Sequence, residues 1–360
     1  MTSSRFESLD AARGIAIALM FLSHIINGLI PIKKLPDLAV VPIHAITKFS
    51  STLFILVFGV AVALVYLQGT KTPRWPKMRL SLWKRALIVM VWYKLLTFVQ
   101  MYQNYSWDEI YERLLFIEFP DYVEILQFYG WLLLLLPLVL PLWAKMSIGT
   151  KLITIYAMLF LAQVLRESFD FWGLWQLKAI IVETRGAYCF GVLTRGALAL
   201  AAITLGEIFF LKHLENPVKT LAGVCLALGI ALLASFLWQY YDDLENVLRA
   251  LAHNAGKHPP NMRFMSFSLG GALIIFSLVL YLFPLVPQIF APFVAVGKES
   301  LFCFNFHIII LFIVFRDLFD LRENVNYAQA LSLTVALFAL AVAISVIITG
   351  VKINLKQSRT

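Results

Sequence analysis

The chain has 360 residues, of which 61% are hydrophobic and only 14% are charged, and its mean hydropathy is +0.81. A soluble domain carries nearly twice that charged fraction, so composition excludes a soluble enzyme or binding module and implies a polytopic membrane protein. The formal net charge of +9 then reads as a set of topology signals, with no nucleic-acid partner.

Apolar runs of roughly 17–25 residues, the length that crosses a bilayer, predict an all-α chain of about ten transmembrane helices. They cover 13–31, 49–68, 85–102, 124–143, 150–166, 180–211, 219–240, 264–284, 300–316 and 328–350. The first run is interrupted by Arg13 and His24 and lacks a small-residue cleavage site, so it is expected to be kept as a helix. Those two residues are eleven apart. At 100° per residue they lie about 20° past three full turns, on one face, separated by about 16 Å. A guanidinium near one membrane surface and an imidazole near the bilayer centre thus share a stripe. Asp10, one turn before Arg13, could hold the guanidinium or favour the helix dipole, and Ser8 or Asp10 could cap the helix.

The connection 69–85 holds Lys71, Arg74, Lys77, Arg79, Lys84 and Arg85 and no acid. The next, 103–123, holds Asp108, Glu109, Glu112, Glu118 and Asp121 against Arg113 alone. With Lys352, Lys356 and Arg359 after the last span, this places both termini and the 69–85 loop in the cytoplasm and the acidic loop outside. Lys71 and Arg74 read as that signal alone. Arg79, Lys84 and Arg85, at the mouth of the third span, either add to it or clamp phosphate groups of a cytosolic ligand.

The sixth run is too long and is broken by Glu183, Arg185 and Arg195, so an interfacial or re-entrant piece is expected at LWQLKAIIVETRG. HPPNMRF at 258–264 is a turn stiffened by Pro259 and Pro260, with Lys257, His258 and Arg263 making it basic. It is either a rigid loop or part of an outward acceptor site. In VGKESLFCFNFHIII, residues 296–310, Gly297 to Ser300 read as a helix start, with His307 about two turns in. His307 either is structural or faces the same cavity as His24. Cys189, Cys225 and Cys303 fall in apolar runs and read as buried hydrophobes, with no disulfide frame and no metal site. The tryptophans fall near span ends, as interfacial anchors do.

Arg13, His24, Lys94, Glu183, Arg185, Arg195 and His307 lie inside spans, with Arg316 at a span end. A central Arg or Lys costs roughly 2.5–3.5 kcal/mol on insertion, so together these residues imply a polar cavity within the bundle. His24 can serve as general base, nucleophile or hydrogen-bond donor, or be satisfied by a neighbouring helix. No Walker loop, GxGxxG, HExxH or GxSxG motif is present, which argues against nucleotide hydrolysis, a bound dinucleotide or a serine hydrolase. Residues 1–360 read as one membrane domain. Interior charges would suit a transporter or flippase of an envelope precursor, and a partner subunit or lipid-binding module is a further reading.

Leu9-Asp10-Ala11-Ala12-Arg13-Gly14-Ile15-Ala16 followed by His24 resembles the first-helix Arg-x10-His signature of the integral-membrane acyltransferase family 3. FSSTLFILVFGVAVAL at 49–64 is similar to that family's second helix, and VGKESLFCFNFH to its late segment ending in His. The glucan succinyltransferases and heparan-glucosaminide acetyltransferase-like proteins share the same start. The family's Arg-x-x-Arg pair entering helix three is here replaced by the differently spaced Arg79, Lys84 and Arg85. The resemblance implies transfer of an acyl group, commonly acetyl, from cytosolic acyl-CoA as co-substrate to a hydroxyl of an envelope or extracellular glycan or glycolipid. It implies a multi-pass protein of the inner (plasma) membrane, in contact with lipid. It makes His24 and Arg13 catalytic and puts Arg13, Arg79, Lys84 and Arg85 at the CoA donor; His307, His258 and Arg185 are the residues expected, on their own placement, at the acceptor. His24 would then either deprotonate the acceptor or carry the acyl group briefly.

Overall fold

The computed structural model describes residues 6–37, 40–210 and 216–357. Among these residues it holds thirteen principal helices, with shorter 3-10 turns between some of them. Nine of the thirteen are long and apolar enough to span a membrane: α1 Glu7–Leu29, α2 Val41–Lys71, α5 Glu124–Trp143, α6 Ile148–Ser168, α8 Val192–Phe210, α9 Pro217–Ala252, α10 Met262–Leu282, α12 Ser300–Leu318 and α13 Tyr327–Lys352. The protein is a multi-pass membrane protein. The predicted third span is the helix α3, Trp75–Met101, whose 27 residues come to about 40 Å and exceed a hydrocarbon core of about 30 Å. Its first turns carry Lys77, Arg79, Lys84 and Arg85. The connection expected over 69–85 is therefore helical from Trp75 onward, with Pro76 in the first turn, where a missing N–H costs nothing.

Three short helices complete the set: α4 Trp107–Leu114, α7 Trp175–Val182 and α11 Pro287–Lys298. Ser106 and Glu109 form a reciprocal capping box that starts α4. Where one long sixth span was expected, the chain makes α7, an extended stretch and then α8. The break falls at Glu183, whose φ of +62° cannot continue a right-handed helix. Gly297 and Lys298 end α11 rather than opening the next helix, which starts at Ser300 as predicted. The end of the predicted sixth span at 211 and Arg359 of the basic tail lie outside the described residues.

The chain falls into two compact units, one of residues 1–57, 218–255 and 263–360, the other of 58–217 and 256–262. In the first, α1 packs most extensively on α11 and also meets α12 and α13. That contact is tight for a reason visible in the sequence. A Cβ on Gly14 would overlap the carbonyl oxygen of Phe293, and one on Gly297 would overlap that of Asp10. Two glycines thus let backbone meet backbone. In the second unit, α3 packs on α5, and α8 packs on α6 and α7. All three cysteines are buried and free.

Candidate functional site

In the first unit, α1 begins six residues before the apolar run suggested, with Phe6 at its N-cap and no side-chain cap. Neither Ser8 nor Asp10 caps it. Asp10 is instead buried and holds Arg13, whose Nη1 donates to Asp10 Oδ1 at 3.0 Å. The same Nη1 lies 3.4 Å from the carbonyl oxygen of Gly297, a contact that the close α1–α11 packing makes possible. The early start also moves His24 into the last third of α1, about 8 Å short of its C-terminal end.

His24 Nδ1 lies 2.9 Å from Nε2 of His307 on α12. The second nitrogen of His307, Nδ1, lies 3.2 Å from the carbonyl oxygen of Cys303, one turn earlier on the same helix. His307 is wholly buried, stacked on Phe21 at 4.5 Å and edge-on to Phe304 at 5.1 Å. His24 is partly accessible. The stripe on α1 thus meets α11 at Gly297 through Arg13, and α12 at His307 through His24. Asp10 meets Gly297 and Gly14 meets Phe293, so α1 runs antiparallel to α11, whereas His24 meets His307 and Gly28 meets Leu311, so it runs parallel to α12. The shared face that the eleven-residue spacing predicts is realised.

In the second unit, the expected acceptor residues Arg185 and His258 differ in burial. Arg185 is exposed in the turn after Glu183. Arg195 is the guanidinium that is buried, with its Nε 3.2 Å from Glu183 Oε1 and its Nη2 donating to the carbonyl of Lys257 at 2.8 Å. His258 Nδ1 lies 3.3 Å from Glu183 Oε2 and 3.1 Å from the Cys189 carbonyl, and its ring stacks on Phe190 at 5.0 Å. Thr194 donates to Glu183 at 2.5 Å, and Lys257 pairs with Glu124 at 2.8 Å. Burial pushes the Glu183 carboxyl up, but the Arg195 guanidinium, with help from His258 and Thr194, outweighs it and holds the group below its ordinary range. Burial pushes the His258 imidazole below its usual value, against the pull of Glu183.

Arg79, Lys84 and Arg85 are exposed on α3, with the Arg79 guanidinium 5.1 Å from the Trp83 ring centroid. Lys94, further along α3, donates to the Arg113 carbonyl and sits over the Phe116 ring. A pair that sequence reading missed, the buried Lys151 with the half-buried Glu207, ties α6 to α8. Its members are 56 residues apart, and no spacing rule links them.

Two family models match the chain. The catalytic domain of heparan-alpha-glucosaminide N-acetyltransferase matches residues 5–185, and the OpgC protein matches residues 100–353. The first match contains Arg13 and His24, and the second contains His258 and His307. No curated protein matches the chain.

Proposed function

The chain belongs to the membrane acyltransferase families that these two models describe, and from that premise we propose that it moves an acyl group from cytosolic acyl-CoA to a hydroxyl of a cell-envelope or extracellular glycan. Acetyl-CoA is the proposed donor, as a co-substrate rather than a resident group, and the inner (plasma) membrane is the proposed site. The observation that carries the reading is the Arg13–His24 stripe. It joins a guanidinium held by Asp10 to a partly accessible imidazole held by His307, about 16 Å further along one helix. A costly pair so placed suits an extended thioester donor, whose phosphates a guanidinium and ammonium groups attract and whose acyl carbon an imidazole can serve. Arg79, Lys84 and Arg85, exposed and free of acidic neighbours in sequence, are the proposed further phosphate contacts. Arg185, His258 and the residues around Glu183 are the proposed acceptor side, supported by the polar character of that cluster.

The test uses the purified full chain with acetyl-CoA and a glucan acceptor, following thiol release and acetyl transfer. Wild type should transfer. His24→Ala should lower the rate by about a thousandfold, within the range that a lost acid–base group costs, and Arg13→Ala should abolish transfer by removing the charge that holds the donor phosphates, both variants remaining folded in the membrane. Wild-type-like turnover in either variant would refute the assignment of that residue. Movement of an envelope precursor across the membrane without acyl-CoA would replace this reading with a transporter.

A further inference from the structure

On the reading that His24 performs the transfer, we propose that His307 is its positioning residue: it fixes the tautomer of His24 and makes Nε2 the working nitrogen. The Cys303 carbonyl can only accept a hydrogen bond, so the 3.2 Å contact requires the proton of His307 to sit on Nδ1. A second proton on His307 would bury a cation between Phe21 and Phe304, at a large desolvation cost. His307 is therefore neutral, and its Nε2 is an acceptor. The 2.9 Å contact then has one polarity, with His24 Nδ1–H donating to His307 Nε2. A neutral His24 so held carries its lone pair on Nε2.

His307 is fully buried, and each of its ring nitrogens is already engaged in this chain. It acts through His24, and a direct contact with the acceptor is not its role. The consequence for the reaction is specific. In the base route, the acceptor hydroxyl gives its proton to His24 Nε2 as its oxygen bonds to the acyl carbon. The thioester C–S bond breaks, and the proton passes from Nε2 to the departing CoA thiolate. While His24 is cationic, its Nδ1–H bond to His307 becomes charge-assisted and stronger. If Nε2 carries the acyl group instead, the same bond keeps Nδ1 occupied and directs acylation to one nitrogen.

The experiment uses the full chain in detergent with 15N-labelled histidine, with His24→Gln identifying the His24 signals. Wild type should show His24 with a protonated Nδ1 and an unprotonated Nε2. The opposite tautomer overturns the proposal, whether or not any variant folds. Kinetically, His307→Phe should lower kcat about a hundredfold at unchanged KM for acetyl-CoA, in the direction of a wrong-tautomer defect. His307→Gln, whose amide oxygen can accept from Nδ1–H, should recover to within about tenfold of wild type. A Phe variant with wild-type kcat, or a Gln variant no better than Phe, also overturns it. Failure of the transferase reading looks different: wild type then transfers nothing while the tautomer stands.

Discussion

The two units hold their histidines by opposite means. In the first, His24 leans on a second imidazole and, through it, on a backbone carbonyl, with the Asp10–Arg13 ion pair three turns away on the same helix. In the second, His258 leans on a fully buried carboxylate that is also paired with Arg195, beside a second ion pair between Lys257 and Glu124. An imidazole held by another imidazole is able to take up and return a proton. An ionic cluster costs much to desolvate and much more to break, so it fixes geometry first. On the proposed reading, the number of buried charges does not locate the catalytic base: the imidazole pair with one partly accessible ring is the proposed catalyst, and the charge-rich cluster holds the proposed acceptor side rigid.

Breaking the scaffold should give the largest effect of three. Glu183 sits at φ +62°, a conformation that costs a non-glycine residue about 1–3 kcal/mol and persists only where its surroundings demand it. Its carboxylate is the common partner of Thr194, Arg195 and His258. Glu183→Gln strands a buried guanidinium and should destabilise the folded protein by about 3–5 kcal/mol, measured by denaturation in detergent. The double variant Glu183→Gln with Arg195→Met should be less destabilised than the sum of the singles. A Gln variant as stable as wild type would mean that the cluster is not a scaffold at all.

Gly14→Ala asks the same question of the first unit by packing rather than charge. The new Cβ meets the Phe293 carbonyl, which belongs to the backbone and cannot rotate away, so α1 and α11 must separate. Overpacking of this kind costs about 1–3 kcal/mol, and it draws Arg13 away from Gly297. Stability and acetyl transfer should fall together. Gly350→Ala, where a Cβ meets nothing within 4 Å, is the control and should be neutral or gain up to about 1 kcal/mol of helix propensity. Equal losses in both would show that the α1–α11 approach is unimportant.

Apolar run length placed the membrane helices well, because span length is set by the bilayer and needs no tertiary information. The run 124–143 is α5 to the residue. The Arg13–His24 face was equally legible, since helical phase alone determines it. The ionic cluster around Glu183 was not. Glu183 and His258 are 75 residues apart, and only the fold makes them neighbours. Arg185 and Arg195 interrupt the same apolar run, and only the fold distinguishes the exposed guanidinium of Arg185 from the buried one of Arg195. The helix α11 was missed because twelve residues with two prolines are too short for a span and too proline-rich for an ordinary helix signal. Its absence from the sequence reading also hid the partner of Gly14.

The smallest effect should come from the ion pair of the first unit, and it tests whether that unit uses charge at all. Asp10 is buried, while the Arg13 side chain remains 18% exposed, so solvent screens part of their attraction. Asp10→Asn keeps an oxygen that can accept from the guanidinium and removes only the negative charge. If Asp10 acts by orienting Arg13, acetyl transfer should fall only about threefold, at the low end of what one charge-assisted bond contributes over a neutral one. Asp10→Ala, which removes the acceptor too, should fall further, by about tenfold, with the loss in KM for acetyl-CoA rather than in kcat. An Asn variant as impaired as Ala would mean that the charge itself, not the orientation, is what the first turn of α1 supplies. The first unit would then be less different from the second than its imidazole pair suggests.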